Sequence, residues 1–140
     1  MLEQLPAPPG ETGARRRRVL VAEDDAALRR LIEIRLGLDP TLEVTAVGDG
    51  RAVLRAVDEA VPDLLICDIM MPQVSGLSVC RQLRAAGVTV PIILLSAQQQ
   101  DDAVDAVIKL GGVEFMNKPY DAATLRTRMT ALLDAPQPTA

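Results

Sequence analysis

Apolar residues along this chain alternate between short unbroken runs and stripes at helical spacing. Val19-Leu20-Val21-Ala22, Leu64-Leu65-Ile66-Cys67 and Ile92-Ile93-Leu94-Leu95 are continuous runs of strand length, the pattern of strands buried on both faces. Leu42 to Val47 mixes polar and apolar positions, as a strand nearer a sheet edge does, and Val113 to Met116 predicts a fifth strand. Between these runs lie five helical stripes. Leu28, Leu31, Ile32 and Leu36 form the first, with Asp25 as its cap and Gly37 at its end. Asp49 caps a second helix carrying Val53, Ala56, Val57 and Ala60, and Leu77, Val79, Cys80 and Leu83 mark a third. A polar Gln98 to Gln100 loop leads to the fourth, with Val104, Val107 and Ile108 inward and Gly111 at its end. Asp121 caps the last, with Leu125, Met129, Leu132 and Leu133 on one side. Strand then helix, five times over, predicts an α/β fold of three layers: a doubly wound parallel sheet with helices on both faces.

The ends of the chain differ from this body. Residues 1–16 are expected to form a flexible tail, since 1–14 hold three prolines, two glycines and no apolar period. The polar, Pro-containing residues 135–140 are expected to form another, which leaves 17–134 as one domain. Arg15 to Arg18 hold four of the fifteen basic residues, and their expected role is a solvated lead-in to the first strand. From Val19 onward eleven basic residues face seventeen acidic ones, so the body carries −6. An acidic body argues against direct nucleic-acid contact, which needs a basic face.

Composition narrows the chemistry further. One Phe, one Tyr and no Trp leave an aliphatic core, and the lack of any His removes His-based nucleophilic triads and His metal sites. Cys67 and Cys80 lack metal-type spacing and are expected to be buried free thiols of a reducing compartment. No apolar run approaches the ~20 residues of a membrane span, and no signal-peptide core opens the chain. A cytoplasmic protein without membrane contact is expected.

What remains polar gathers at the strand ends. Glu23, Asp24 and Asp25 follow the first strand, Asp68 the third, Ser96 the fourth and Lys118 the fifth. In a doubly wound sheet these ends share one edge, where ligands of such folds bind. Adjacent carboxylates repel unless a cation joins them, and a hard divalent ion such as Mg²⁺ suits one or two carboxylates plus waters and phosphate oxygens. Lys118 adds a point charge and Ser96 a small donor, a set able to surround a transferring phosphoryl group. Asp68 is the acid left to act as nucleophile. Singly, each of these residues reads equally well as a turn, cap or surface residue.

Jointly, the set resembles the receiver domain of two-component response regulators over about residues 17–134. VLVAEDD resembles its first strand and acidic pair, and PDLLICDIMMP its phosphorylation-site strand. The resemblance implies a flavodoxin-like sheet of strand order 2-1-3-4-5, with Asp68 as phospho-acceptor. It implies Mg²⁺ (or Mn²⁺) held by Asp24, Asp68 and the Met70 backbone carbonyl, with Glu23 acting through water. Pro72 and Gly76 match the following loop. Ser96, followed by Ala97, stands for the switch hydroxyl, Phe115 for the switch aromatic, and Lys118-Pro119 for a Lys-Pro pair joined by a cis bond. Met70 and Gln98 flank the entry route by the same likeness.

The implied partners are a sensor histidine kinase or phosphotransfer protein and an unknown downstream protein reached through the fourth helix, fifth strand and last helix. The chain would be a signalling domain rather than a turnover enzyme, catalysing only its own phosphorylation and dephosphorylation. It would act as a monomer or a phosphorylation-dependent dimer, although Val113 and Ala123 stand where one dimer mode of such families uses charges. Three other classes fit less well. A haloacid-dehalogenase-like phosphatase expects a second acid two residues after its nucleophile, where this chain has Met70. A flavodoxin-like cofactor binder needs a phosphate cradle where Glu23 and Asp24 repel phosphate. A phosphorylation-independent pseudo-receiver would normally have lost one of the key residues.

Overall fold

In the computed structural model, residues 15–135 are described; the parts of the expected tails at 1–14 and 136–140 lie outside them. Ten elements alternate along the chain: β1 (Arg17–Ala22), α1 (Ala26–Gly37), β2 (Leu42–Val47), α2 (Gly50–Glu59), β3 (Leu64–Asp68), α3 (Gly76–Ala85), β4 (Ile92–Ser96), α4 (Asp102–Ile108), β5 (Val113–Asn117) and α5 (Ala122–Asp134). All sheet pairings are parallel, in the order β2-β1-β3-β4-β5. The expected flavodoxin-like architecture is therefore the observed one.

Strand β3 sits at the middle of the sheet, and all five of its residues are buried. Its side chains alternate between two cores. Leu64 and Ile66 join Val19, Val21, Ile93 and Leu95 under α1 and α5, through Ile32, Leu36, Leu125 and Met129. Leu65 and Cys67 join Leu20, Ile92 and Leu94 under α2, α3 and α4, through Val53, Val79, Leu83 and Val107. Burial on both faces explains why these strands read as unbroken apolar runs. Edge strand β2 is only partly buried, and its sequence is mixed accordingly.

The helix starts follow from capping. Backbone N–H groups of Leu28, Ala52 and Thr124 donate to the side chains of Asp25, Asp49 and Asp121, the three expected caps. Ser75 and Asp101 cap α3 and α4 in the same way. Three expectations need correction. Ala60 is the exposed, extended C-cap of α2 rather than part of its inward stripe. Helix α4 ends at Ile108 rather than at Gly111, because Gly111 (φ 95°) and Gly112 (φ 70°) turn the chain in the left-handed region before β5. Leu31 is 44% exposed, so the α1 stripe is not wholly core.

The basic lead-in is more structured than a solvated run. Arg17 and Arg18 belong to β1, and Arg15 pairs with Asp63 at 3.1 Å. Asp63 also accepts the Arg18 backbone N–H at 2.7 Å, which ties the start of β1 to the approach of β3.

Candidate functional site

Parallel strands β1 and β3 are neighbours at the point where the strand order reverses, so their carboxyl ends open a crevice. Glu23 follows β1 immediately and Asp68 closes β3. Among the described residues the buried polar side chains are Glu23, Asp68 and Ser96, all at this edge. Two buried carboxylates of like charge are costly unless a cation offsets them. That cation is Lys118, whose Nζ donates to Glu23 Oε1 at 2.8 Å and to Asp68 Oδ2 at 2.9 Å. Burial opposes the charge on Lys118, yet its bonds to Glu23 and Asp68 outweigh that and raise its pKa above the ordinary lysine value.

The acidic loop is held from several sides. The Glu23 N–H donates to the Val47 carbonyl at 3.1 Å, and the Asp25 N–H donates to Glu23 Oε2 at 3.1 Å. Arg29 of α1 donates to the Glu23 carbonyl at 2.8 Å, in space left by the missing side chain of Gly48. Asp24 is left exposed beside the pair. Carboxylate oxygens of Glu23, Asp24 and Asp68 lie within 4.8 Å of one another, which fits one divalent cation.

The loop after β3 is shaped by close backbone packing. A Cβ at Gly76 would lie 2.4 Å from the Asp68 carbonyl oxygen, and its N–H donates to the Ile69 carbonyl. Only glycine allows α3 to begin so near the acid. Met70 lies in this loop with its side chain 58% exposed, Pro72 follows, and Gln73 takes a positive φ of 70°.

The remaining expected residues fall around the same edge. Ser96 ends β4, and its Oγ accepts the Gln98 N–H at 3.0 Å. Ala97 is exposed. Phe115 on β5 is half-buried against the core under α2, α3 and α4. The Lys118–Pro119 peptide bond is cis. An apolar groove of about 720 Å³ adjoins the site, bordered by Lys118, Ala97 and Tyr120 and walled by Leu28, Leu31 and Leu125.

Two polar residues of this edge escape a reading of the sequence alone, Arg29 and Asn117. The Asn117 side chain donates to the Gln98 carbonyl at 2.7 Å and to the Ser96 carbonyl at 3.4 Å. Its position next to the Lys-Pro pair was the available signal. Both cysteines are free and buried, as expected. No described helix is long and apolar enough to cross a membrane.

The chain is 39% identical over 120 residues to the DNA-binding response regulator MtrA of Mycobacterium tuberculosis (strain ATCC 25618 / H37Rv), covering 84% of this chain and 51% of that protein. It is 38% identical over 117 residues to the transcriptional regulatory protein CseB of Streptomyces avermitilis, covering 82% and 48%. The chain thus spans about half the length of the curated relatives it matches. Among solved structures, the BeF3-activated N-terminal receiver domain of Klebsiella pneumoniae RstA aligns with TM-score 0.75 at 27% identity, over 84% of this chain and 99% of that one. The receiver domain of sensor histidine kinase PA1611 from Pseudomonas aeruginosa PAO1, with magnesium coordinated in its active-site cleft, aligns with TM-score 0.75 at 26% identity, over 86% and 99%. The family pattern described as the response regulator receiver domain matches residues 19–130, and the chain belongs to that family.

Proposed function

We propose that this chain accepts a phosphoryl group on Asp68 from a histidine kinase or phosphotransfer protein and converts that charge into a change of surface. The observation that carries the reading is the pair of buried carboxylates Glu23 and Asp68 bridged by the partly buried Lys118, with Asp24 beside them. Asp24, Asp68 and the Met70 backbone carbonyl would hold Mg²⁺ (or Mn²⁺), with Glu23 reached through water. Bound there, the ion neutralises charge on the phosphoryl oxygens.

An Asp68 carboxylate oxygen forms the new bond to phosphorus as the bond to the donor atom breaks, and the donor leaves with the electron pair. Lys118 already touches Asp68 and can pair with a phosphoryl oxygen. Ser96 Oγ uses a lone pair for the Gln98 N–H, so its own proton is available to another phosphoryl oxygen. Phe115 then turns inward and alters the face of α4, β5 and α5, a local charge event biasing a two-state element. Water later hydrolyses the acyl phosphate. The receiver unit is residues 17–134, and the downstream protein meets the altered face, with the chain a monomer or a phosphorylation-dependent dimer.

Incubation with acetyl phosphate and Mg²⁺, followed by phosphate-affinity electrophoresis, tests the assignment. Wild type should shift and Asp68→Asn should not, a loss of at least ~100-fold in labelling. Equal labelling of the two proteins would place the acceptor elsewhere.

A further inference from the structure

The β4–β5 pairing ends at the register pair Ser96 and Asn117. Beyond it, Ala97 to Gln100 form an exposed loop with no sheet partner. Gln98 is nonetheless fixed at both ends of its backbone. Its N–H donates to Ser96 Oγ at 3.0 Å, and its carbonyl accepts from Asn117 Nδ2 at 2.7 Å. The same Asn117 amide reaches the Ser96 carbonyl at 3.4 Å, which also takes the Lys118 N–H at 2.7 Å. One exposed carboxamide therefore ties the loop carrying the Ser96 hydroxyl to the strand end carrying Phe115 and Lys118. Along β5, alternation puts Asn117 on the same sheet face as Phe115, two residues away.

We propose that Asn117 is a clasp: a positioning residue that makes the Ser96 loop and the end of β5 move as one body, so that a phosphoryl group on Asp68 is reported at Phe115. The proposal rests on the receiver reading above, and it adds a residue that touches none of the reacting atoms. A carboxylate offers no N–H to replace the amide donor, so an aspartate here keeps the size but loses the bond and repels the Gln98 carbonyl. Because the Asn117 side chain is exposed, neither Asn117→Ala nor Asn117→Asp removes core packing.

The single Phe makes the test direct, since fluorophenylalanine labelling yields one ¹⁹F signal, from position 115. The 140-residue wild type and both variants are compared with and without Mg²⁺ and beryllofluoride, and exchange of the Gln98 amide proton is followed in the free proteins. Expected in both variants are roughly tenfold faster exchange at Gln98 and a Phe115 signal shift cut to less than about a third, with the mimic still bound. Unchanged Gln98 exchange, or a full Phe115 shift in both variants, overturns the clasp. A wild-type signal that ignores the bound mimic instead overturns the underlying switch, while Gln98 exchange still reports on the clasp itself.

Discussion

On the face covered by α1 and α5 the strands end in charge. On the face covered by α2, α3 and α4 they end in a hydroxyl, an amide and an aromatic ring. Leu64, Ile66 and then Asp68 point to the first face by strand alternation, and Glu23 and Lys118 continue the parity of Val21 and Met116. Ile92, Leu94 and then Ser96 point to the second, as do Val113, Phe115 and Asn117. The charged side has its electrostatics closed by Lys118. The other side is only half-closed at its rim, where Phe115 keeps partial exposure. In the proposed cycle the charge change happens on one face and the response on the other. In that cycle the signal crosses from one face of the sheet to the other, and a one-residue slip of β3 would carry Asp68 to the opposite face, away from Glu23 and Lys118.

The largest way to break this contrast is to unpair the charged face. Lys118→Met leaves Glu23 and Asp68 facing each other without a cation, at a cost of about 3 kcal/mol in chelator-treated protein. The same change removes the cation that competes for these acids, so Mg²⁺ should raise the melting temperature of the variant more than that of wild type. Thermal melts with chelator and with Mg²⁺ give both numbers. Equal Mg²⁺ shifts in the two proteins would mean that Lys118 and a metal do not compete for the same carboxylates.

Next comes the backbone beneath Asp68. Gly76→Ala puts a Cβ against the Asp68 carbonyl and the Ile69 Cα, neither of which is a flexible side-chain end. The expected loss is about 2 kcal/mol in urea unfolding, together with slower phosphoryl uptake, because the strained loop carries the Asp68 and Met70 carbonyls. A fully stable variant would show that this loop can move away freely. Smaller still is Phe115→Leu on the opposite face. A half-buried ring exchanged for a leucine should cost about 1 kcal/mol and leave acetyl phosphate labelling within about threefold of wild type. Labelling that collapsed would join the two faces into one site.

How much of this was legible depended on whether a residue's role is local or set by register. The β3 and β4 runs were readable because doubly buried parallel strands need no polar alternation. Asp25, Asp49 and Asp121 were readable as caps because each stands just before an apolar stripe. Asp101 serves equally, but Gln98 to Gln100 blur the start of α4, and the glycine turn at 111–112 makes that helix look longer than it is. Leu31 fits the helical stripe and still lines a groove, since spacing alone does not reveal what covers a face. At the site, Glu23, Asp68 and Lys118 announced themselves as charges at strand ends. Asn117 did not, because its role exists only once β5 lies in register beside Ser96. Gly76 was expected in its loop, but its reason, 2.4 Å from a carbonyl oxygen, is a fact of packing.

The smallest effect concerns the two thiols, which both belong to the core under α2, α3 and α4. Burial pushes Cys80 up to about 12 and raises Cys67 well above its ordinary value. A thiolate is the reactive form, so at pH 8 native Cys80 stays protonated and unreactive. Ellman's reagent should therefore label neither thiol in native protein over hours and both at once in denaturant. The same shift has a sign for stability. Below the ordinary thiol value of 9.0 both states keep the proton and nothing is lost. As pH climbs toward 12 the unfolded thiol ionises first, so the native state weakens. Labelling that tracks global unfolding at every pH keeps this face closed. Fast labelling at pH 8 without loss of the urea transition would instead reveal local opening of α3 over β3, and the response face would then be the looser half of the molecule well beyond Phe115.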